Sequence, residues 1–116
     1  MAMTPEAKVK KVVVKHLKQM EAYYFFPATG GYGKSGVPDI VGCYKGKFFG
    51  IECKAGKNTA TALQVKNLSD ISLAGGVAVI INETNMDSTP SIISSGNWYQ
   101  KRLSDGEVAE TWQTDH

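Results

Sequence analysis

A chain of 116 residues, 42% apolar and 21% charged, is long enough for one hydrophobic core, and neither a collagen-like nor a disordered composition fits it. No apolar run approaches the ~20 residues that a membrane-spanning helix needs, and the valine–lysine start lacks the apolar block and cleavage site of a signal peptide, so a cytoplasmic chain is expected. The net charge of +2 hides an asymmetry, because residues 1–57 carry +6 and residues 58–116 carry −4. A polyanion such as nucleic acid suits the basic half, although lysines that merely solvate a helix would also account for Lys8, Lys11, Lys15 and Lys18.

Thr4-Pro5-Glu6 predicts a helix start: an N-cap, a proline at the first helical position and an acid at the positive end of the dipole. Val9, Val13, Leu17 and Met20 then recur at helical spacing, and the helix is expected to end near Glu21. Glu6 lies seven positions before Val13 and eleven before Leu17, which sets it on or beside the buried face. Tyr23-Tyr24-Phe25-Phe26 reads as a short aromatic strand ended by Pro27. The loop that follows holds Gly33-Lys34-Ser35, which looks like the end of a phosphate-binding loop. That pattern needs a glycine where Ala28 stands and a helix where Gly36-Val37-Pro38 stands, so nucleotide hydrolysis is set aside.

Asp39-Ile40-Val41-Gly42-Cys43-Tyr44 continues as a strand to a turn at Lys45-Gly46-Lys47, and Phe48 to Ala55 is the return strand of a hairpin. Alternation sends Phe48, Gly50, Glu52 and Lys54 to one face and Phe49, Ile51, Cys53 and Ala55 to the other. A turn centred near residue 46 brings Asp39 opposite residues 52–54, with a register open by a residue or two. Cys43 and Cys53 sit in apolar runs without a Cys-x-x-Cys pair, so both are expected as buried thiols and zinc is not expected. Thr59 or Thr61 caps a second helix running to about Ala74-Gly75-Gly76, with Gln64 on the side of Leu68 and Ile71. Val77 to Ile81 has the pattern of a central strand covered on both faces. Ser88-Thr89-Pro90 opens a short helix carrying Ile92 and Ile93, and Trp98-Tyr99 covers a core edge or an interface. Residues 1–103 form a single domain by this reading, and residues 104–116, with four acids and no lysine or arginine, form a loose tail.

Three charged groups, Asp39, Glu52 and Lys54, therefore stand inside segments as apolar as a buried sheet, where an uncompensated charge costs several kcal/mol. Two carboxylates at one sheet edge suit a hard divalent cation such as Mg²⁺, with the backbone carbonyl of Cys53 as a further ligand and waters completing the octahedron. Lys54 would orient or deprotonate a water or neutralise charge on a phosphate. Glu6 would join directly or through a metal-bound water, and Gln64 would hold that water or Lys54. An ion network without catalysis explains the opposite charges, but gives no reason for the surplus carboxylate.

Pro38-Asp39, a spacer, then Glu52-Cys53-Lys54 resembles the PD-(D/E)xK nuclease signature, on an αβββαβ order of elements. The closer resemblance is to the virus-type replication-repair nuclease (VRR-NUC) domain: Ser35-Gly36-Val37-Pro38-Asp39-Ile40, then Glu52-Cys53-Lys54, then Gln64, with Glu6 on the first helix, covering residues 5 to about 81. The resemblance implies an α/β fold with a restriction-endonuclease-like αβββαβ core, a mixed sheet flanked by helices. It also implies Mg²⁺-dependent hydrolysis of DNA, with Mn²⁺ able to substitute, in branched or structured substrates of the kind Holliday-junction resolvases cut. Asp39 and Glu52 would be ligands, Glu6 an accessory acid, Lys54 the catalytic lysine and Gln64 the motif glutamine. A homodimer of phage type is implied too, with Lys34, Ser35, Lys57, Lys8 and Lys11 toward DNA. A DNA-binding module that keeps the fold without cutting is the alternative. Members often carry an arginine and an asparagine before the glycine loop, where this chain has Pro27-Ala28-Thr29, and this departure bears on substrate contacts.

Overall fold

The N-terminal helix shows how local chemistry sets the frame. In the computed structural model, which describes residues 3–28 and 35–95, α1 runs Pro5–Met20 and Thr4 Oγ1 accepts the N–H of Ala7 at its start. Glu21 closes it in the left-handed region, its N–H reaching the carbonyls of Leu17 and Lys18. Val9, Val13 and Leu17 are buried, as their spacing predicts.

Three antiparallel strands follow: β1 (Tyr23–Phe25), β2 (Ile40–Tyr44) and β3 (Lys47–Cys53). A two-residue turn, Lys45-Gly46, joins the hairpin with positive φ at both residues, so β3 starts one residue earlier than expected. Helix α2 (Ala62–Leu73) then crosses over to β4 (Val77–Ile81), which pairs parallel to β3. A 3₁₀ turn (Met86–Ser88) and α3 (Thr89–Ser95) end the described chain, and Ile93 is buried there. The molecule is thus α/β, a four-stranded mixed sheet in the order β1-β2-β3-β4 flanked by helices, and its elements follow the αβββαβ order.

Alternation divides the sheet as predicted. Phe49, Ile51 and Cys53 join Val77, Val79 and Ile81 under α1 and Ile93 in the core. The opposite face of β3 is covered by α2: the position of a Cβ on Gly50 would lie 2.6 Å from Ile71 Cδ1 and 3.0 Å from Pro38 Cγ, so a larger residue there would have to displace the Ile71 side chain. With both faces covered, β3 is a continuous buried strand from Phe49 to Cys53, and Glu52 is inside it.

Two expectations are corrected. β4 is covered on both faces, but among the described residues it is the outermost strand rather than a central one, since a helix on each face says nothing about lateral neighbours. Cys53 is buried, whereas Cys43 is exposed. Cys43 pairs with Tyr23 and Phe48, themselves 68% and 46% exposed, on the part of the sheet near β1 that the helices leave open. Trp98-Tyr99 and residues 104–116 lie outside the described residues. Among the described residues no helix is long and apolar enough to cross a membrane.

Candidate functional site

The hairpin register decides the site. Ile40 pairs with Ile51, so the next step along both strands sets Asp39 across from Glu52. At that level β2 has ended, and the Cys53 N–H that would continue the ladder has lost its backbone acceptor. Asp39 Oδ2 takes that place, accepting the Cys53 N–H at 2.9 Å, while the next amide, Lys54 N–H, turns the other way to the carbonyl of Ile81. Asp39 is therefore fixed by one oxygen, and it faces the open cleft described below.

Glu52 is 1% exposed. Its Oε2 lies 3.4 Å from Lys54 Nζ, two residues along the same face of β3. Its Oε1 is, among the described residues, the only buried side-chain polar atom without a hydrogen-bond partner. Burial pushes the Glu52 carboxyl up to about 7; the Asp39 charge adds to this, the Lys54 ammonium opposes it, and Glu6 contributes a smaller rise. Burial likewise pushes the Cys53 thiol well up, chiefly by desolvation, so at neutral pH it stays a neutral thiol. The backbone group of Cys53 engaged at the site is its N–H.

A cleft of about 920 Å³ opens beside Asp39, between the first turn of α1 and the loop after β3. Glu6 lines it. Lys57 stands on the loop wall and is exposed. The opposite wall carries Lys10, one helical turn after Glu6. Glu83, just after β4, also reaches the cleft, and its two carboxylate oxygens accept the Gly56 N–H at 3.0 and 3.2 Å. Sequence reasoning missed Lys10 and Glu83. The signal for Lys10 was the i, i+4 spacing from Glu6; the signal for Glu83 was an acid closing a strand parallel to β3, whose exit loop must share an edge with that of β3.

The other predicted residues are distributed differently. Gln64 sits in the first turn of α2, where its Oε1 accepts the Thr61 N–H at 2.9 Å and its own N–H donates to Thr61 Oγ1 at 3.2 Å. This capping box commits its oxygen and leaves the two Nε2 hydrogens for any further contact. Ser35 is exposed and its carbonyl accepts from the buried amide of Asn67 at 3.0 Å, which ties the end of the glycine loop to α2. Lys34 lies outside the described residues. Lys8 and Lys11 are exposed on α1, and Lys11 borders a separate groove of about 570 Å³ with Lys15 and Lys18 rather than the cleft at Asp39.

The donor set bears on which ion fits. Among the described residues no group of three or more His, Cys, Asp or Glu side chains is gathered for a metal ion. Two opposed carboxylates, one with an unpartnered oxygen, fit a hard cation that retains waters and takes few protein ligands, as Mg²⁺ does. The chain matches no protein-family model, and no curated protein sequence is significantly similar to it.

Proposed function

We propose that the protein is a metal-dependent nuclease that hydrolyses phosphodiester bonds in DNA, with Asp39 and Glu52 holding Mg²⁺. The observation that carries this reading is Glu52 Oε1: a carboxylate oxygen sealed from water, on a residue across the hairpin from Asp39 and, among the described residues, left without a donor. A buried carboxylate in that state is costly unless a cation completes it. The short motif and element order that resemble the VRR-NUC domain point the same way.

When bound, Mg²⁺ would supply Lewis-acid polarisation of the phosphodiester and a water of lowered pKa. The chain's own residues supply the rest. Asp39, held through Oδ2 by the Cys53 N–H, lines the cleft and would supply its charge there. Lys54, largely buried and 3.4 Å from Glu52, holds a positive charge at the same edge, where it orients a water or offsets charge growing on the phosphate; as the neutral amine it would accept a proton from that water. Glu6 closes the cleft from the α1 side as an accessory acid. Glu83 pins the Gly56-Lys57 loop against the sheet edge and so sets where Lys57 meets the substrate.

Branched DNA is the proposed substrate and a homodimer the proposed assembly, the latter supported by the exposed Tyr23 and Phe25 on β1, the outermost described strand on that side, and the exposed Phe48 on β3. A labelled four-way junction, a flap and a plain duplex, each incubated with Mg²⁺, Mn²⁺ or chelator, test the reading. Cleavage with either metal and none in chelator is expected, with preference for the junction. Cleavage that survives chelation refutes the metal chemistry, and binding without cutting under both metals favours a non-cleaving module. Lys54→Ala should lower the rate by ~10²–10⁴-fold with the fold retained. Light scattering that shows a monomer at working concentration removes the dimer.

A further inference from the structure

The five lysines of α1 divide into two kinds. Lys8, Lys11, Lys15 and Lys18 are exposed, whereas Lys10 is half-buried and is one of the residues lining the cleft at Asp39. Its Nζ lies 4.4 Å from the centroid of the Phe26 ring, within range of a cation–π contact. Phe26 in turn meets Tyr24 edge-on, with centroids 6.0 Å apart and planes at 65°, so the ring is itself positioned by β1.

We propose that Lys10 binds a backbone phosphate of nucleic acid adjacent to the one being cut, with Phe26 as the positioning residue that holds its ammonium. This rests on the nuclease reading and adds to it a contact that lysine counting along the helix does not select. The cleft is lined by three acidic residues, Glu6, Asp39 and Glu83, against two basic ones, Lys10 and Lys57. A polyanion entering an acidic cleft needs cations on the wall, and Lys57 is exposed on a loop. Lys10 stands on a helix, one turn from Glu6, with its ammonium held over a ring. The ring occupies one side of the ammonium and makes no conventional hydrogen bond with it, so its donors stay available to phosphate oxygens. A phosphate rather than a base edge is the matching ligand, because a single ammonium is a point charge without a bidentate pattern.

The test is binding of a labelled DNA junction by fluorescence anisotropy with Ca²⁺ replacing Mg²⁺, across about 50 to 200 mM salt. Lys10→Gln should make the slope of log affinity against log salt shallower by about 0.9, the loss of one phosphate contact. Lys10→Arg should restore it. Phe26→Leu, which keeps the lysine and loses the ring, should weaken binding about two- to five-fold at fixed salt. Lys15→Gln, on the outer face, should change the slope by less than Lys10→Gln. An unchanged slope in Lys10→Gln overturns the proposal, as does an equal loss in Lys15→Gln or a wild type that binds no DNA. A wild type that cuts while Lys10→Gln keeps its slope refutes only the role of Lys10. A wild type that binds with the expected Lys10 dependence yet never cuts refutes only the nuclease reading.

Discussion

Glu52→Gln removes the charge of the buried carboxylate while keeping its shape, and its effect on stability should depend on pH in a direction the site dictates. In the folded protein the Glu52 carboxyl is held up near 7 against an ordinary value of 4.5, first by burial and then by Asp39. A carboxyl raised on folding favours the folded state fully below the unfolded value, and that favour is lost as pH rises through the folded one. Wild type in chelator should therefore lose stability relative to Glu52→Gln between about pH 4.5 and 8. A displacement of roughly 2.5 pH units corresponds to a change on the order of 3 kcal/mol in the difference between the two proteins. For a domain of this size that is about 10 °C in Tm. Urea unfolding or thermal melts of both proteins at matched pH values measure it, and titrating groups that do not interact with Glu52 cancel in the difference. At pH 8, Mg²⁺ should raise the wild-type Tm and leave Glu52→Gln nearly unmoved, because the ion binds the ionised form. Parallel pH curves for the two proteins would refute the reasoning, since they would mean that Glu52 is solvated or fully paired in the folded state.

Asp39→Asn should keep an acceptor for the Cys53 N–H and lose the charge, so the pH at which Glu52 titrates should fall while cleavage drops by at least ~10²-fold; stability curves and a junction assay read the two effects. Asn67→Ala removes the amide that bonds both the Ser35 and Leu63 carbonyls at 3.0 Å, and urea denaturation should show a loss of about 1–3 kcal/mol. Gly36→Ala meets both a φ of 76° and an added Cβ 2.8 Å from Leu63 Cγ, with backbone atoms of Leu63 as close as 2.9 Å. A loss of about 2 kcal/mol or more is expected, and cleavage should fall further than stability because Gly36 leads directly into Pro38-Asp39.

The parts of the fold legible in the sequence are those fixed by local chemistry. Thr4-Pro5-Glu6 specified the start of α1, Glu21 its end, and strand alternation placed Glu52 and Lys54 on one face with Asp39 across from them. The capping box Thr61-x-x-Gln64 was equally local, but the helical spacing of Gln64 drew the reading toward the core instead of toward the helix end. What was not legible depends on where one layer stops covering another. Cys43 sits in a run as apolar as that of Cys53, yet it is exposed, because α2 packs on β3 and β4 and does not reach the β1 side. Double-sided burial of β4 was readable from its unbroken apolar run, and its outermost place among the described strands was not, since lateral pairing depends on segments far away in sequence. Glu83 is the same case at the site: its partner, Gly56, is 27 residues away and becomes a neighbour only because β3 and β4 run parallel.

The balance of charge at the edge of β2 and β3 bears on what Glu52 is for. A buried ion pair offsets its own desolvation only when its geometry is good and its remaining lone pairs are satisfied. Glu52 and Lys54 approach to 3.4 Å through one oxygen, the other oxygen has no donor, and Asp39 stands across the hairpin with a like charge. A stabilising network would gain from replacing Asp39 by a neutral acceptor, because the Cys53 N–H needs an oxygen and not a charge. Retaining two carboxylates against one ammonium makes the edge worse as a structural device and better as a seat for a divalent cation. The fold absorbs that strain through a sheet edge whose backbone amides are already satisfied by Asp39 and Ile81, so the cost falls on the Glu52 carboxylate, the group a cation would relieve.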